Sequence, residues 1–251
     1  MVPTQAARYP NRKDLTLSVL GATIEAVKTD RGSRVEIRSA EWQVIDRLEQ
    51  LNLTKVGLLD VVHQCVAGYS GCTDNDPPGV RGYEVWRMGI RGFRETFGGK
   101  DGWERSDSGG FSTIVNHTLA LRVAVINTDE ATGIVKGSRA PQNRLPKGST
   151  AERAVSANQI IEQMSLALSG GGMRAPEPAN VDDYQTWHFC IYVRGDTVRA
   201  ELSRFNGYSD GFLSDCRERI LIVGDGEWTA LDIGGAGDPG PVFDFEIRRK
   251  Q

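Results

Sequence analysis

Apolar residues recur at two periods along this chain, and the switch between them divides it into a helical first part and a strand-rich last part. Leu17, Leu20, Ile24 and Val27 fall at a 3.6-residue spacing, which predicts a helix over 15–28. After the Asp30-Arg31-Gly32 turn, residues 33–38 alternate as a short strand. Val44, Ile45, Leu48 and Leu51 make the apolar stripe of a helix over 40–51, with Ser39 as its N-cap. Thr54 is placed to cap a second helix reaching about Val66, with Val56, Leu59, Val62 or His63, and Val66 turned inward. Residues 68–79 (GYSGCTDNDPPG) are a loop by every local rule. A third helix follows over 80–97, where Trp86, Ile90, Phe93 and Phe97 share one face and Arg87, Arg91 and Arg94 the next. Gly82, Gly89 and Gly92 weaken it by up to ~1 kcal/mol each relative to alanine, and they leave room for another backbone or a ligand to come close.

Residues 98–110 (GGKDGWERSDSGG) have the composition of a flexible loop and read as a lid or mobile insertion. Leu119–Ile126 is β-branched and apolar enough for a central strand. Residues 127–133 (NTDEATG) turn the chain into a long loop punctuated by Pro141 and Pro146. Ser149 with Glu152 is a capping box, and Ala154, Ala157, Ile161, Met164 and Leu168 form the seam of a helix that Gly170-Gly171-Gly172 stops. Beyond 173–183 (MRAPEPANVDD), the only candidate internal boundary, the period becomes two. Trp187–Arg194 and Thr197–Phe205 flank a Gly195-Asp196 hairpin turn, Arg219–Val223 and Trp228–Ile233 flank a second turn, and Val242–Arg248 is a final half-exposed strand. This order predicts an α+β fold: an N-terminal helical half packed on a mainly antiparallel sheet that a C-terminal β-meander completes. Residues 1–13 carry few apolar groups and read as a flexible arm, leaving 14–251 as a single domain.

Composition adds few constraints. A chain of 251 residues can bury a substantial core, and 39% hydrophobic with 25% charged residues is the make-up of a soluble globular protein. A net charge of −3 argues against a wholesale nucleic-acid or membrane coat but permits a local basic patch. No span approaches the roughly 18 consecutive apolar residues that a membrane helix needs, and the chain opens with the pattern of neither a signal peptide nor an anchor. Cys65, Cys72, Cys190 and Cys216 form no Cys-x-x-Cys pair and read as reduced thiols of a cytoplasmic protein. His63, Cys65 and Cys72 match no usual zinc spacing, and Asp74 and Asp76 lack the rest of a calcium loop.

Candidate chemistry is sparse. The sequence has no glycine fingerprint between a strand and a helix and no Walker lysine, which removes the usual nucleotide-fold signatures. A divalent-metal nuclease needs carboxylates at a strand end to hold Mg²⁺ and a lysine two residues after a neighbouring strand's glutamate. Asp129 and Glu130 end the 119–126 strand and Glu201 sits on another, but none of the strand carboxylates has that lysine, so Mg²⁺ is expected only on this reading. His117 or His188 could act as a general base with Asp129 or Asp183 orienting it. Asp129, Glu130, His117 and Glu201 are therefore the catalytic candidates.

The more specific signal is charge. Lys136, Arg139, Arg144, Lys147 and Arg153 fall within eighteen residues that end at a helix N-terminus, where side chains, backbone N–H groups and the helix dipole can all meet phosphate. Together with the Arg87, Arg91 and Arg94 stripe they predict a surface that binds, and could process, nucleic acid or another polyanion. A small-anion enzyme or sensor with the 98–110 loop as its lid is the alternative. A non-catalytic assembly protein, homo-oligomeric or docked through an exposed strand edge, is the third reading.

Overall fold

The alternating segments assemble into one mixed sheet with helices on both faces, an α+β architecture. The structure is a computed structural model that describes residues 27–28, 34–136, 139–168, 178 and 180–228. Strands β2 (Arg34–Arg38), β3 (Trp103–Ser106), β4 (Thr113–Asn116), β5 (Leu121–Asn127), β6 (Gln185–Arg194), β7 (Thr197–Ser209) and β8 (Phe212–Val223) lie in the spatial order β2-β8-β7-β6-β5-β4-β3. The two-residue β1 (Val27–Lys28) adds to the β2 edge. Among the described residues no helix is long and apolar enough to cross a membrane.

The β6–β7–β8 run is an antiparallel meander: its Gly195-Asp196 hairpin is the expected one, and the β7–β8 hairpin is an addition to the expected set. The sheet leaves the antiparallel pattern at two joints, where β5 lies parallel to β6 and β2 parallel to β8. A parallel neighbour needs a long crossover, and between β5 and β6 that crossover contains α4 (Ser149–Leu168). The helix therefore crosses one face of the sheet, while α1 (Glu41–Gln50), α2 (Lys55–Ser70) and α3 (Val80–Phe97) cover the other. Trp187, Phe189, Ile191 and Val193 of β6 enter the core beneath α1–α3 with Leu48, Leu58, Val62 and Phe93. On the α4 side Cys190, Phe205, Cys216 and Leu221 pack with Val155.

That second face is unusually polar for a buried surface. Arg122, Thr186, His188, Glu201, Ser203 and Arg219 are all buried. Asn158 of α4 explains how the helix docks on it. Its Nδ2 donates to the carbonyls of Thr186 (2.9 Å) and Phe205 (2.8 Å), and its Oδ1 accepts from the Thr186 amide (2.7 Å). The β6–β7 ladder pairs as far as His188 and Ser203, and the Asn158 amide bridges the strands beyond it.

Several expectations need correction. Val27–Lys28 is strand, not the end of a helix, and 15–26, 1–13, 229–233 and 242–248 lie outside the described residues. Ala40, not Ser39, precedes α1, and its amide donates to Gln43 Oε1. Thr54 does cap α2, accepting from the Gly57 amide at 3.1 Å. Ser149 is the first residue of α4 itself, and the Gly148 carbonyl accepts from the Ala151 and Glu152 amides. Residues 98–110 are not a lid: they contain β3, pinned by buried Trp103, whose indole donates to the Asn52 carbonyl at 2.8 Å.

The glycines of α3 do allow a close approach, and at Gly89 it is to the protein's own core. A Cβ there would stand 2.8 Å from Val125 of β5 and 3.1 Å from Cys65 of α2. Gly89→Ala gains up to ~1 kcal/mol of helix propensity but overpacks the core at a cost of about 1–3 kcal/mol. A lower urea midpoint for this variant is expected; a higher one would show that Val125 and Cys65 can give way.

Candidate functional site

Among the described residues, the structure draws half of the predicted cations into ion pairs, Arg87, Arg91, Arg94 and Arg139. Arg87 binds Glu84 (2.7 Å), Arg91 binds Glu95 (2.7 Å) and Arg94 binds Asp107 (2.7 Å), so each member of the stripe carries a carboxylate. The hydrogen bond from Ser112 and the Arg94 guanidinium hold the Asp107 carboxyl below its usual range. In the basic loop, Arg139 meets Asp129 at 2.5 Å and Glu130 at 3.7 Å, pairing one predicted cation with two predicted catalytic carboxylates. Asp129 Oδ1 also accepts from the Ala131 and Gln142 amides, so it closes the turn. Arg153 lies at 3.5 Å from Thr150 Oγ1, and Lys136 is exposed.

The four catalytic candidates do not converge. His117 lies beyond the start of β5 and Asp129 beyond its end, with the length of the strand between them. The His117 Nδ1 pairs with the Tyr184 hydroxyl at 2.9 Å. Glu201 is fully buried, and its carboxylate is occupied by Arg219 (2.8 and 2.6 Å), the Ser203 hydroxyl (2.5 Å) and the Gly133 amide (2.7 Å). Among the described residues, no group of three or more His, Cys, Asp or Glu is placed to hold a metal ion. Cys65 and Cys216 are buried thiols pushed up to about 12, so neither is a thiolate at neutral pH.

Arg144 and Lys147 have a different setting. They line a cleft of about 780 Å³ that the first turns of α3 close on the other side, through Arg81, Gly82, Tyr83 and Trp86. Its floor is Asn127 at the end of β5 with Ile191 and Val193 of β6, and Arg194 stands at its rim. Among the described residues, none of Arg144, Lys147 and Arg194 has a carboxylate within ion-pair distance, and no Asp or Glu lines the cleft. Burial pushes the Lys147 amine below its usual range. Tyr83 and Trp86 stand with ring centroids 5.8 Å apart, and Tyr83 is exposed. Asn127 Nδ2 donates to the Gly82 carbonyl at 2.6 Å, tying β5 to α3, while its Oδ1 is buried without a partner.

The basic loop is held in place by the tip of the β7–β8 hairpin. Asp210 and Gly211 make that turn with φ of 53° and 87°, left-handed values that suit Asp-Gly. The Gly211 carbonyl accepts from the Lys147 amide (2.8 Å) and from Asn143 Nδ2 (2.9 Å), and Asn143 Oδ1 accepts from the Leu213 amide (2.8 Å). Tyr208 donates to the Lys147 carbonyl. Lys147 is thus fixed by its backbone, with its side chain left to face the cleft.

A second, smaller cavity of about 160 Å³ adjoins the cleft, and Trp86 and Lys147 line both. Its walls include Phe111, Ser112, Ala151 in the first turn of α4, and His188. His188 is 1% exposed and its Nδ1 has no hydrogen-bond partner. Burial, helped by the positive charges of Arg122 and Lys147, pushes its pKa down to about 3, so the ring is neutral near pH 7. Arg122 sits over the ring of Phe111 at 5.5 Å and binds Thr186 (2.5 Å) and Asp182 (3.2 Å). Comparison with protein-family models, curated proteins and solved structures finds no match for this chain.

Proposed function

We propose that this protein binds a small anionic ligand that carries a planar ring, a nucleotide being the simplest example, in the cleft between α3 and Arg144–Lys147. The observation that carries this reading is the meeting of three cations unpaired among the described residues, Arg144, Lys147 and Arg194, with the rings of Tyr83 and Trp86 in one concave space of ligand size. Arg144 and Lys147 attract the anion, Trp86 and Tyr83 offer a stacking surface, and Asn127 stands beside them with an unused acceptor. The extended-polyanion reading is the weaker of the two, because the Arg87, Arg91 and Arg94 stripe is already neutralised by Glu84, Glu95 and Asp107.

Thermal-shift and calorimetric titration with adenosine and guanosine monophosphates tests the reading. A saturating ligand at a hundred times its Kd adds about 2.7 kcal/mol to stability. Arg144→Ala and Trp86→Ala are each expected to weaken binding about tenfold. Single-stranded oligonucleotides serve as the comparison: with the three unpaired cations of the cleft, log K should fall with log salt at a slope of only about −2.1. No stabilisation by any mononucleotide at millimolar concentration would overturn the small-ligand reading, and a steep salt slope would restore the polyanion one.

A further inference from the structure

The small cavity behind Trp86 and Lys147 differs from the main cleft in size and chemistry. At about 160 Å³ it is below the usual range of whole-ligand pockets. Lys147 brings to it an ammonium without a carboxylate partner among the described residues. The first turn of α4, a helix of twenty residues, begins there with Ala151 in the wall; the Ala151 amide already donates to the Gly148 carbonyl, so the helix contributes through its dipole. The Ser112 hydroxyl in the wall has its one O–H committed to Asp107, which is itself paired with Arg94. His188 is the independent observation: a buried ring in the wall whose Nδ1 has no partner among the described residues. A neutral imidazole has one N–H to donate, and a phosphate oxygen is an acceptor that could take it.

We infer that this cavity is a phosphate subsite, taking the terminal phosphomonoester of a ligand whose ring lies in the main cleft, between Lys147, the N-terminus of α4 and His188. The inference rests on the small-ligand reading above for its whole ligand, but not for its anion. Lys147 sits at the junction, so one side chain serves both spaces and fixes the distance between ring and phosphate. The site discriminates by charge and size: a nucleoside fills the cleft alone, and a nucleoside monophosphate fills both.

The test uses the full chain with three probes: adenosine, adenosine 5′-monophosphate and inorganic phosphate. Calorimetry should show the monophosphate binding about tenfold or more tighter than adenosine. Inorganic phosphate alone should shift the ¹⁵N resonances of the His188 ring in the wild-type protein. His188→Phe, which keeps an aromatic ring and removes its nitrogens, should bring the monophosphate down toward the adenosine affinity and leave adenosine unchanged. If adenosine and the monophosphate bind equally and phosphate leaves His188 unmoved, the subsite is refuted while the cleft stands. If no nucleoside or nucleotide binds but phosphate still shifts His188, the subsite stands and the ring-binding reading fails. The wild-type resonance experiment decides the matter even where the variant fails to fold.

Discussion

Glu201→Leu is expected to destabilise the protein by about 3–5 kcal/mol, a loss comparable to much of a domain's total stability. The glutamate and Arg219 are 0% and 1% exposed and meet through two contacts, 2.8 and 2.6 Å long. Removing the carboxylate leaves a guanidinium in the core with only the Ala131 carbonyl at 3.2 Å, and an arginine cannot discharge itself by losing a proton. The Gly133 amide and the Ser203 hydroxyl lose their acceptor at the same time. Arg219→Met should cost less, because an orphaned carboxyl can take up a proton. The double variant Glu201→Leu with Arg219→Met should recover the part of the loss due to the orphaned guanidinium, since an apolar pair replaces a buried ion pair at little cost, while the Gly133 amide and Ser203 hydroxyl stay without their acceptor. Urea unfolding of the four proteins measures this as a coupling energy. Additive losses in the double variant would show that the pair is not the unit holding this face together.

The same pair explains why the candidate site has a fixed shape. Arg219 and Glu201 grip the Ala131 carbonyl and the Gly133 amide. Asp129 closes the same turn onto Gln142. Asn143 and Lys147 then lock onto the hairpin tip at Gly211. The route from β5 to α4 is therefore tied to the sheet at several points, which is what a long loop needs if it is to present a side chain in one place. Glu201, a catalytic candidate by its strand position, is a structural group that works through this loop.

Legibility from sequence varied for identifiable physical reasons. Helix α3 is readable because its aromatic seam is strong and glycines bracket it at 79 and 98. The inward face of α2 is not, because Val56, Leu58, Leu59, Val61, Val62 and Cys65 surround the helix and give periodicity no direction; Val56 is 72% exposed while Leu58, Val61 and Cys65 are buried. Strand β3 is hidden because four residues with one buried tryptophan are diluted by polar neighbours. The continuation of β7 to Ser209 is hidden by buried Asn206 and by Gly207, which break the apolar alternation, although Asp210-Gly211 is a hairpin signal in plain sight. The cationic loop is visible as composition. Its surroundings are not: Arg139 folds back onto Asp129 across the loop, and Arg144 and Lys147 line one cleft with Trp86, a residue far from them in the chain.

Acidification should unfold the wild-type protein more readily than His188→Phe, by about 2–3 kcal/mol between pH 7 and pH 4.5. His188 faces the α4 layer from the middle of the sheet, edge-on to Phe205 at 5.6 Å, with Arg122 and Lys147 as the charges that bear on it. Burial first, then those two cations, hold its folded pKa at about 3 against 6.5 for the free side chain. Between these values the unfolded chain binds a proton that the folded protein refuses. The stability present above about pH 6.5 is therefore lost progressively as pH falls toward 3. Burial pushes Glu218 up, but hydrogen bonds from Arg47 and Arg38 outweigh it and hold the carboxyl low, so this group also loses stability in acid. That contribution is common to both proteins, and the difference between their pH profiles isolates the histidine. At neutral pH the variant should be as stable as the wild type or more so, because the ring nitrogen it removes has no partner to lose. Parallel profiles from pH 7 to 4.5 would mean that His188 takes up its proton in the folded state, and that its surroundings are wetter or less positive than Arg122, Lys147 and the closed sheet make them.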